Sequence, residues 1–211
     1  MFRKVAIVSS ALFLAFGILF TSILRTASIK YEFNGQVACG DEPSVLGEED
    51  INIDYFLAYP GKVLPDSPFW YVKVLRDRIW LFLTTNSSRK AELKLLFADK
   101  RLGSAKILFE NDNAEVGFST LTKAEKYLEE ASFQEQKNRK EGIDTSEFLR
   151  RLSHASLKHC EVTSEIIKIA PEDARPQIIE TQKYAKKVYE DTRDALFEKD
   201  ISPAENPFDW H

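Results

Sequence analysis

Apolar residues, with a single histidine among them, recur at alternating steps of four and three residues in three successive segments of this chain. The first set is Ala91, Leu95, Ala98, Leu102, Ala105 and Phe109, the second Gly117, Leu121, Ala124, Leu128 and Ala131, and the third Phe148, Leu152, Ala155, His159, Val162, Ile166 and Ile169. Because an α-helix has 3.6 residues per turn, this spacing places each set on one helix face. The pattern predicts an all-α fold built from packed helices.

The breaks between the segments predict five helices, over about 68–83, 89–110, 115–139, 145–170 and 171–199. Short connections, such as residues 111–113, favour an antiparallel bundle. The first helix is apolar on most of its circumference, so we expect it to lie centrally among the others. The alternative is that part of its aromatic surface lies against lipid.

A run of 20 residues without a charge, Val5 to Leu24, precedes this domain. Its helical length matches the hydrocarbon core of a bilayer, so we predict an N-terminal transmembrane helix. A cleavable signal peptide is the rival interpretation, but Arg25 follows the run directly and an uncleaved anchor is favoured. With only four residues before the run, we expect a single-pass cell-membrane protein with a cytoplasmic N-terminus and an extracytoplasmic domain.

The predicted organisation is an anchor (1–25), a flexible spacer (26–54), the helical domain (55–200) and a flexible tail (201–211). The formal net charge of −4 argues against nucleic acid as a partner, because phosphate binding requires a basic surface. Two cysteines, Cys39 and Cys160, form no zinc or redox motif. A disulfide between them would need an oxidising compartment, and the alternative is two unpaired thiols.

The stretch from Tyr55 to Lys73 is the densest motif of the chain, with three prolines and six aromatic residues. Ser67 or Asp66 is positioned to cap the first helix, with Pro68 at its first turn. We interpret the motif as the point where the spacer becomes a fixed helical body, or as a contact for a partner. Its candidate residues are Tyr59, Pro60, Gly61, Pro65, Asp66, Ser67, Pro68, Trp70, Tyr71 and Lys73.

The sequence contains no known catalytic or phosphate-binding motif, so we infer no enzymatic activity, catalytic residue or cofactor. His154 and His159 are five residues apart and therefore lie on different faces of a helix, which disfavours a metal site. His159 is the one polar residue on an apolar face. We expect it to be buried and hydrogen-bonded to a neighbouring helix, with a role in sensing pH or metal as the alternative.

Three stretches together resemble an uncharacterised prokaryotic family of membrane-anchored helical proteins, a domain of unknown function. They are YPGKVLPDSPFWYVK (Tyr59 to Lys73), AELKLLFADKRL (Ala91 to Leu102) and LKHCEVTSEIIKIAPEDARPQI (Leu157 to Ile178). The resemblance implies an extracytoplasmic helical domain without an established activity, and His159 coincides with a histidine that recurs in the family. Trp70 in place of a tyrosine and the loop TTNSS depart from the family pattern.

These features predict an interaction or assembly module of the cell envelope, held to the membrane through Val5 to Leu24 and bound to an envelope protein partner. The alternative is an envelope sensor or regulator, in which metal, pH or stress changes the helix packing.

Overall fold

The computed structural model describes residues 52–208, which form five α-helices and no strand. The helices are α1 (Trp70–Leu83), α2 (Ser87–Glu110), α3 (Ala114–Lys140), α4 (Ser146–Ile169) and α5 (Arg175–Phe197). The predicted anchor, most of the spacer and the last three residues of the tail lie outside the described residues. None of the five helices is long and apolar enough to cross a bilayer.

Helices α2 to α5 form the bundle. The extensive contacts join α2 to α3, α4 to α5, α3 to α5 and α2 to α4, with a smaller contact between α3 and α4. Only residues 111–113 connect α2 to α3, and residues 141–145 connect α3 to α4. Such short loops reverse the chain direction, so consecutive helices of the bundle run antiparallel.

The spacing pattern correctly identified the buried faces of α2 and α3. Every member of the first two sets is buried, and Ala98, Leu102, Leu121 and Leu128 are completely inaccessible. Small residues alternate with leucines along both faces, which allows the two helices to approach closely and interdigitate. In α4 the pattern holds from Leu152 to Ile166, whereas Ile169, at the last position of the helix, is 49% exposed.

The expectation that the first helix lies centrally in the bundle is wrong. Among the described elements α1 packs extensively against none of the other helices, and only Asp77 and Trp80 are buried in it. The apolar residues that set its helical spacing face outwards: Leu75 is 52% and Phe82 86% exposed. Trp80 instead holds the helix to the bundle, because its large ring is buried against Leu93 and Phe97 of α2.

Two predicted helix starts are shifted. Residues 65–69 form turns, and α1 begins at Trp70 rather than Pro68. The Ser67 hydroxyl accepts a hydrogen bond from the Phe69 backbone N–H at 3.3 Å, but no side chain caps the helix itself. Pro171 ends α4 as expected, and a further turn precedes α5, which begins at Arg175.

Residues 201–208 of the predicted tail have no regular secondary structure and lie against the bundle. The Ala204 backbone N–H donates to Ser153 Oγ at 3.0 Å, and the Tyr189 hydroxyl donates to the Ala204 carbonyl at 2.8 Å. Phe208 packs on the core next to Leu157 and Tyr189. Proline excludes this segment from helices without preventing contact with them.

The difference in burial between the core face of α2 and the outward side of α1 can be measured with a matched pair of leucine variants. We expect Leu102→Ala, in the core, to lower the free energy of unfolding by about 2–5 kcal/mol, because it leaves a cavity. Leu75→Ala, on the outer face of α1, should change it by less than about 0.5 kcal/mol. Urea unfolding followed by circular dichroism measures both, and equal losses would contradict the outward orientation of α1.

Candidate functional site

The chain approaches α1 along the surface of the bundle. The Ile53 backbone N–H donates to Glu161 Oε2 at 2.9 Å, and the Ile53 side chain is buried against Leu157 and Tyr189. Two residues later the Tyr55 hydroxyl donates to Asp99 Oδ2 at 2.8 Å. The last residues of the predicted spacer are therefore docked on the helices, and the folded body begins before Tyr55.

The Pro60-Gly61 dipeptide sits in a turn that is fixed from two sides. Pro60 is buried against Gly103 of α2, where an added Cβ would lie 3.3 Å from the proline ring. Gly61 has a φ of +87°, which other residues adopt only with strain. From α1, Lys73 Nζ donates to the Pro60 carbonyl at 2.6 Å and to the Val63 carbonyl at 3.2 Å. Burial lowers the pKa of Lys73 to about 8.

The predicted motif residues thus divide into three groups, which hold the turn, are exposed or are half-buried. Pro60, Gly61 and Lys73 hold the turn, and Lys73 Nζ also lies 4.7 Å from the centre of the Trp70 ring. Tyr59 and Tyr71 are exposed by 68% and 80%. Pro68 and Asp66 are also exposed, whereas Pro65 and Ser67 are half-buried.

The outer side of α1 is apolar and bordered by arginines. Val72, Leu75, Ile79 and Phe82 follow one another at steps of three and four, and all but the half-buried Ile79 are more than 50% exposed. At about 100° per residue, Arg78 lies about 60° to one side of Leu75 and Arg76 about 100° to the other. We call Val72, Leu75, Ile79 and Phe82, with these two flanking arginines, the outer face of α1.

The inner side of α1 fixes the orientation of the outer face. Trp80 is 7% exposed and packs on Leu93 and Phe97 of α2, with its ring edge-on to Phe97 at 6.1 Å between centroids. Asp77 is buried and accepts hydrogen bonds from the Arg76 guanidinium at 2.7 and 3.1 Å. The only acidic residue of α1 is therefore turned away from the outer face.

A polar cluster lies in the core where α2, α3 and α4 meet. His159 is completely buried, with Nδ1 at 2.9 Å from Glu125 Oε1 and Nε2 at 3.3 Å from Asp99 Oδ1. Glu125 is also completely buried, and its Oε2 has no hydrogen-bond partner among the described residues. Since Tyr55 binds the other oxygen of Asp99, the cluster connects three helices to the entry segment.

The surrounding carboxyl groups determine the charge of this histidine. Burial by itself lowers the pKa of His159, but the charge of Glu125 and hydrogen bonds with Asp99 and Glu125 outweigh it and raise the pKa to about 9. The ring is therefore an imidazolium at neutral pH, and both of its N–H groups donate. Burial, together with Asp99, also raises the pKa of Tyr55, so its hydroxyl remains a donor.

The cluster is suited to holding a proton. Within the described residues, no group of three or more histidine, cysteine, aspartate and glutamate side chains is arranged to bind a metal ion. Cys160 is a free, buried cysteine whose thiol pKa is raised by burial and by Glu125. Two surface cavities of about 200 and 100 Å³ lie near α2 and α4, and both are smaller than the roughly 300 Å³ of typical small-molecule sites.

Sequence reasoning identified His159 but missed Asp99, Glu125 and Tyr55. A signal for the two carboxylates is present in the helical spacing. Asp99 lies four residues after Leu95 and three before Leu102, and Glu125 has the same relation to Leu121 and Leu128. Both acidic residues therefore lie on apolar faces, as His159 does, and complementary charges on facing helices could have been paired on that basis.

The raised pKa of His159 predicts a pH-dependent stability. The unfolded pKa is about 6.5 and the folded pKa about 9, so the stabilisation by His159 is complete below pH 6.5 and is lost as the pH rises through 9. Relative to His159→Gln, we expect the wild-type free energy of unfolding to fall by on the order of 3 kcal/mol across this window. Urea titrations at successive pH values measure it.

The comparison with His159→Gln removes contributions from other groups, because Lys73 and Cys160 titrate in both proteins. Glu125→Gln provides a second variant of the same shape. Glu125→Gln removes the carboxylate charge that attracts the His159 imidazolium, and this lowers the folded pKa of His159. The loss of stability should therefore occur at lower pH. Parallel stability curves for wild type and His159→Gln would show that the folded histidine is neutral.

Comparison with known proteins identifies a family but no activity. No curated protein and no solved structure matches the chain significantly. A family described as Domain of unknown function (DUF5667) matches residues 62–173, which is more than half of the 211 residues. The matched range includes α1 to α4 and, with them, Asp99, Glu125 and His159. The resemblance to an uncharacterised family is thereby confirmed, and the chain belongs to the DUF5667 family of domains of unknown function.

Proposed function

We propose that this protein is a membrane-anchored interaction module of the cell envelope, with its helical domain displayed outside the cytoplasm. The observation that carries the proposal is the outer face of α1. Three of its apolar side chains are exposed by 52% to 86%, although the bundle is complete without them. Contiguous exposed apolar residues on a folded domain are typical of a contact surface.

Contacts at two places hold α1 against the bundle and set the direction of its outer face. Trp80 anchors α1 to α2, and Lys73 binds the turn at Pro60 and Val63. Because α1 is already folded and held in place, little conformational entropy is lost when a partner covers the face. Burial of its apolar side chains then contributes to the free energy of binding. The uncharged run Val5 to Leu24 supports the anchoring part of the proposal.

A second candidate function is that of an envelope sensor, and the buried cluster of His159, Asp99 and Glu125 favours it. A proton held between three helices couples the pH to their packing. The folded pKa of about 9 requires an alkaline stimulus, or a stress that opens the bundle, to release the proton. Because no group among the described residues is arranged to bind a metal ion, we favour pH or a folding stress over metal as the stimulus of such a sensor.

The anchoring part is tested by fractionation of cells that express the full chain. We expect the chain to remain with the membrane after alkaline carbonate extraction. We also expect that a protease added outside the cytoplasmic membrane degrades the domain. Deletion of residues 5–24 should abolish membrane retention. Release of the intact chain by carbonate, or protection of the domain from the protease, would contradict the proposal.

The contact surface is tested by photocrosslinking in the same cells. A photoreactive phenylalanine analogue at Leu75 or Phe82 should form adducts, whereas the same residue at Ile179 of α5 should not. Ile179 is 46% exposed, so it matches Leu75 in accessibility. Adducts of equal yield at all three positions, or at none, would contradict a role for the outer face.

A further inference from the structure

We propose that the outer face of α1 docks on the surface of an anionic lipid bilayer. The inference rests on the proposed function, because it names the contact of the same surface. Its starting point is the reversed arrangement of α1: apolar residues face solvent, and the single acidic residue faces the bundle. A helix that lies in a membrane interface has this pattern, with a band of apolar and aromatic residues bordered by arginine or lysine.

The positions of the arginines fit a bilayer surface. Arg76 and Arg78 lie on either side of the apolar band, and Arg78 is exposed. When Leu75 and Phe82 enter the headgroup region, the exposed Arg78 guanidinium reaches the phosphates beside the helix, whereas the Arg76 guanidinium stays hydrogen-bonded to Asp77. Tyr71, 80% exposed, adds an aromatic ring with a polar tip, which is common at the membrane interface.

The distribution of charge supports the same partner. Residues 62–86, which comprise α1 and the turns on either side of it, contain four basic and two acidic residues and carry a net charge of +2. The whole chain carries −4. The region around α1 is therefore attracted to an anionic surface, while the rest of the domain is repelled from it, and this orients the domain with α1 towards the lipid.

A second copy of the chain is a poorer occupant. The 14 residues of α1 form a face about 21 Å long and about 10 Å wide, so about 200 Å². A stable protein dimer buries about 800 Å² on each partner. Two copies meeting face to face would also bring their arginines together. A bilayer needs no such area here, because the predicted anchor supplies the affinity and the face has only to orient the domain.

The predicted tether permits this docking. Since Ile53 is docked on the bundle, residues 26–52 are available as tether and span at most about 90 Å when fully extended, which is enough for α1 to reach the bilayer surface. The tether also keeps the domain at a high effective concentration near the lipid. Weak contacts of a short helix are then sufficient to fix one orientation among many.

The test uses the full chain in vesicles and a probe that reports depth at one residue. Cys39→Ser removes the cysteine outside the described residues, and Cys160 is completely buried. An environment-sensitive fluorophore is attached to Leu75→Cys, Phe82→Cys or, as the matched control, Ile179→Cys. The chain is reconstituted in vesicles of phosphatidylcholine with about 30 mol% phosphatidylglycerol, with nitroxide-labelled lipid as quencher.

We expect quenching at positions 75 and 82 to exceed that at 179 by about threefold or more, with a blue-shifted emission. Salt of about 1 M, or vesicles of phosphatidylcholine alone, should reduce the difference, because both weaken the attraction of the arginines to the headgroups. The variant Arg78→Gln, which leaves the Arg76–Asp77 pair intact, should do the same in anionic vesicles. An unchanged urea midpoint would show that this variant still folds.

Equal quenching at the three positions, or quenching at none, overturns the lipid inference. If positions 75 and 82 then crosslink to a protein in cells, the occupant is a protein groove, and the proposed function stands without the lipid. If the chain is also released by carbonate extraction, the anchoring part of the proposed function fails separately.

Discussion

The close packing of α2 against α3 is the constraint on which the rest of the fold depends. Alanines and leucines alternate along both buried faces, so the two long helices approach each other along most of their length. The hairpin of α4 and α5 then closes the bundle over the same leucines. The other features occupy places that this packing defines, from the turn seated on Gly103 to α1 outside the bundle.

The buried polar cluster places a second condition on the same packing. Removing a histidine and two carboxyl groups from water is costly, and their mutual hydrogen bonds offset the cost only while three helices stay in register. Glu125 Oε2, which has no partner among the described residues, adds to that cost. The cluster therefore depends on one register of the three helices, and it makes that arrangement sensitive to the proton on His159.

Helix α1 and the cluster divide the domain into a contact surface and an interior. The outer face of α1 remains exposed because Trp80 and Asp77 occupy the side that meets α2. The entry segment joins the two parts, since Tyr55 binds Asp99 of the cluster and the turn at Pro60 binds Lys73 of α1. Lipid or protein that covers the outer face would contact α1, which Lys73 joins to the entry segment. The entry segment in turn reaches the cluster through the hydrogen bond between Tyr55 and Asp99.

The sequence by itself determined the helical class, the number of helices, most of their bounds and the buried faces of α2, α3 and α4. It could do so because local periodicity fixes which residues share a face. It did not determine the side of α1 that meets the bundle, since apolar residues surround that helix and only the fit of Trp80 between Leu93 and Phe97 decides the choice. Nor did it pair His159 with Asp99 and Glu125, 60 and 34 residues away. Those distances are closed only when helices pack, so the charge of the histidine and the exposure of α1 are properties of the tertiary structure.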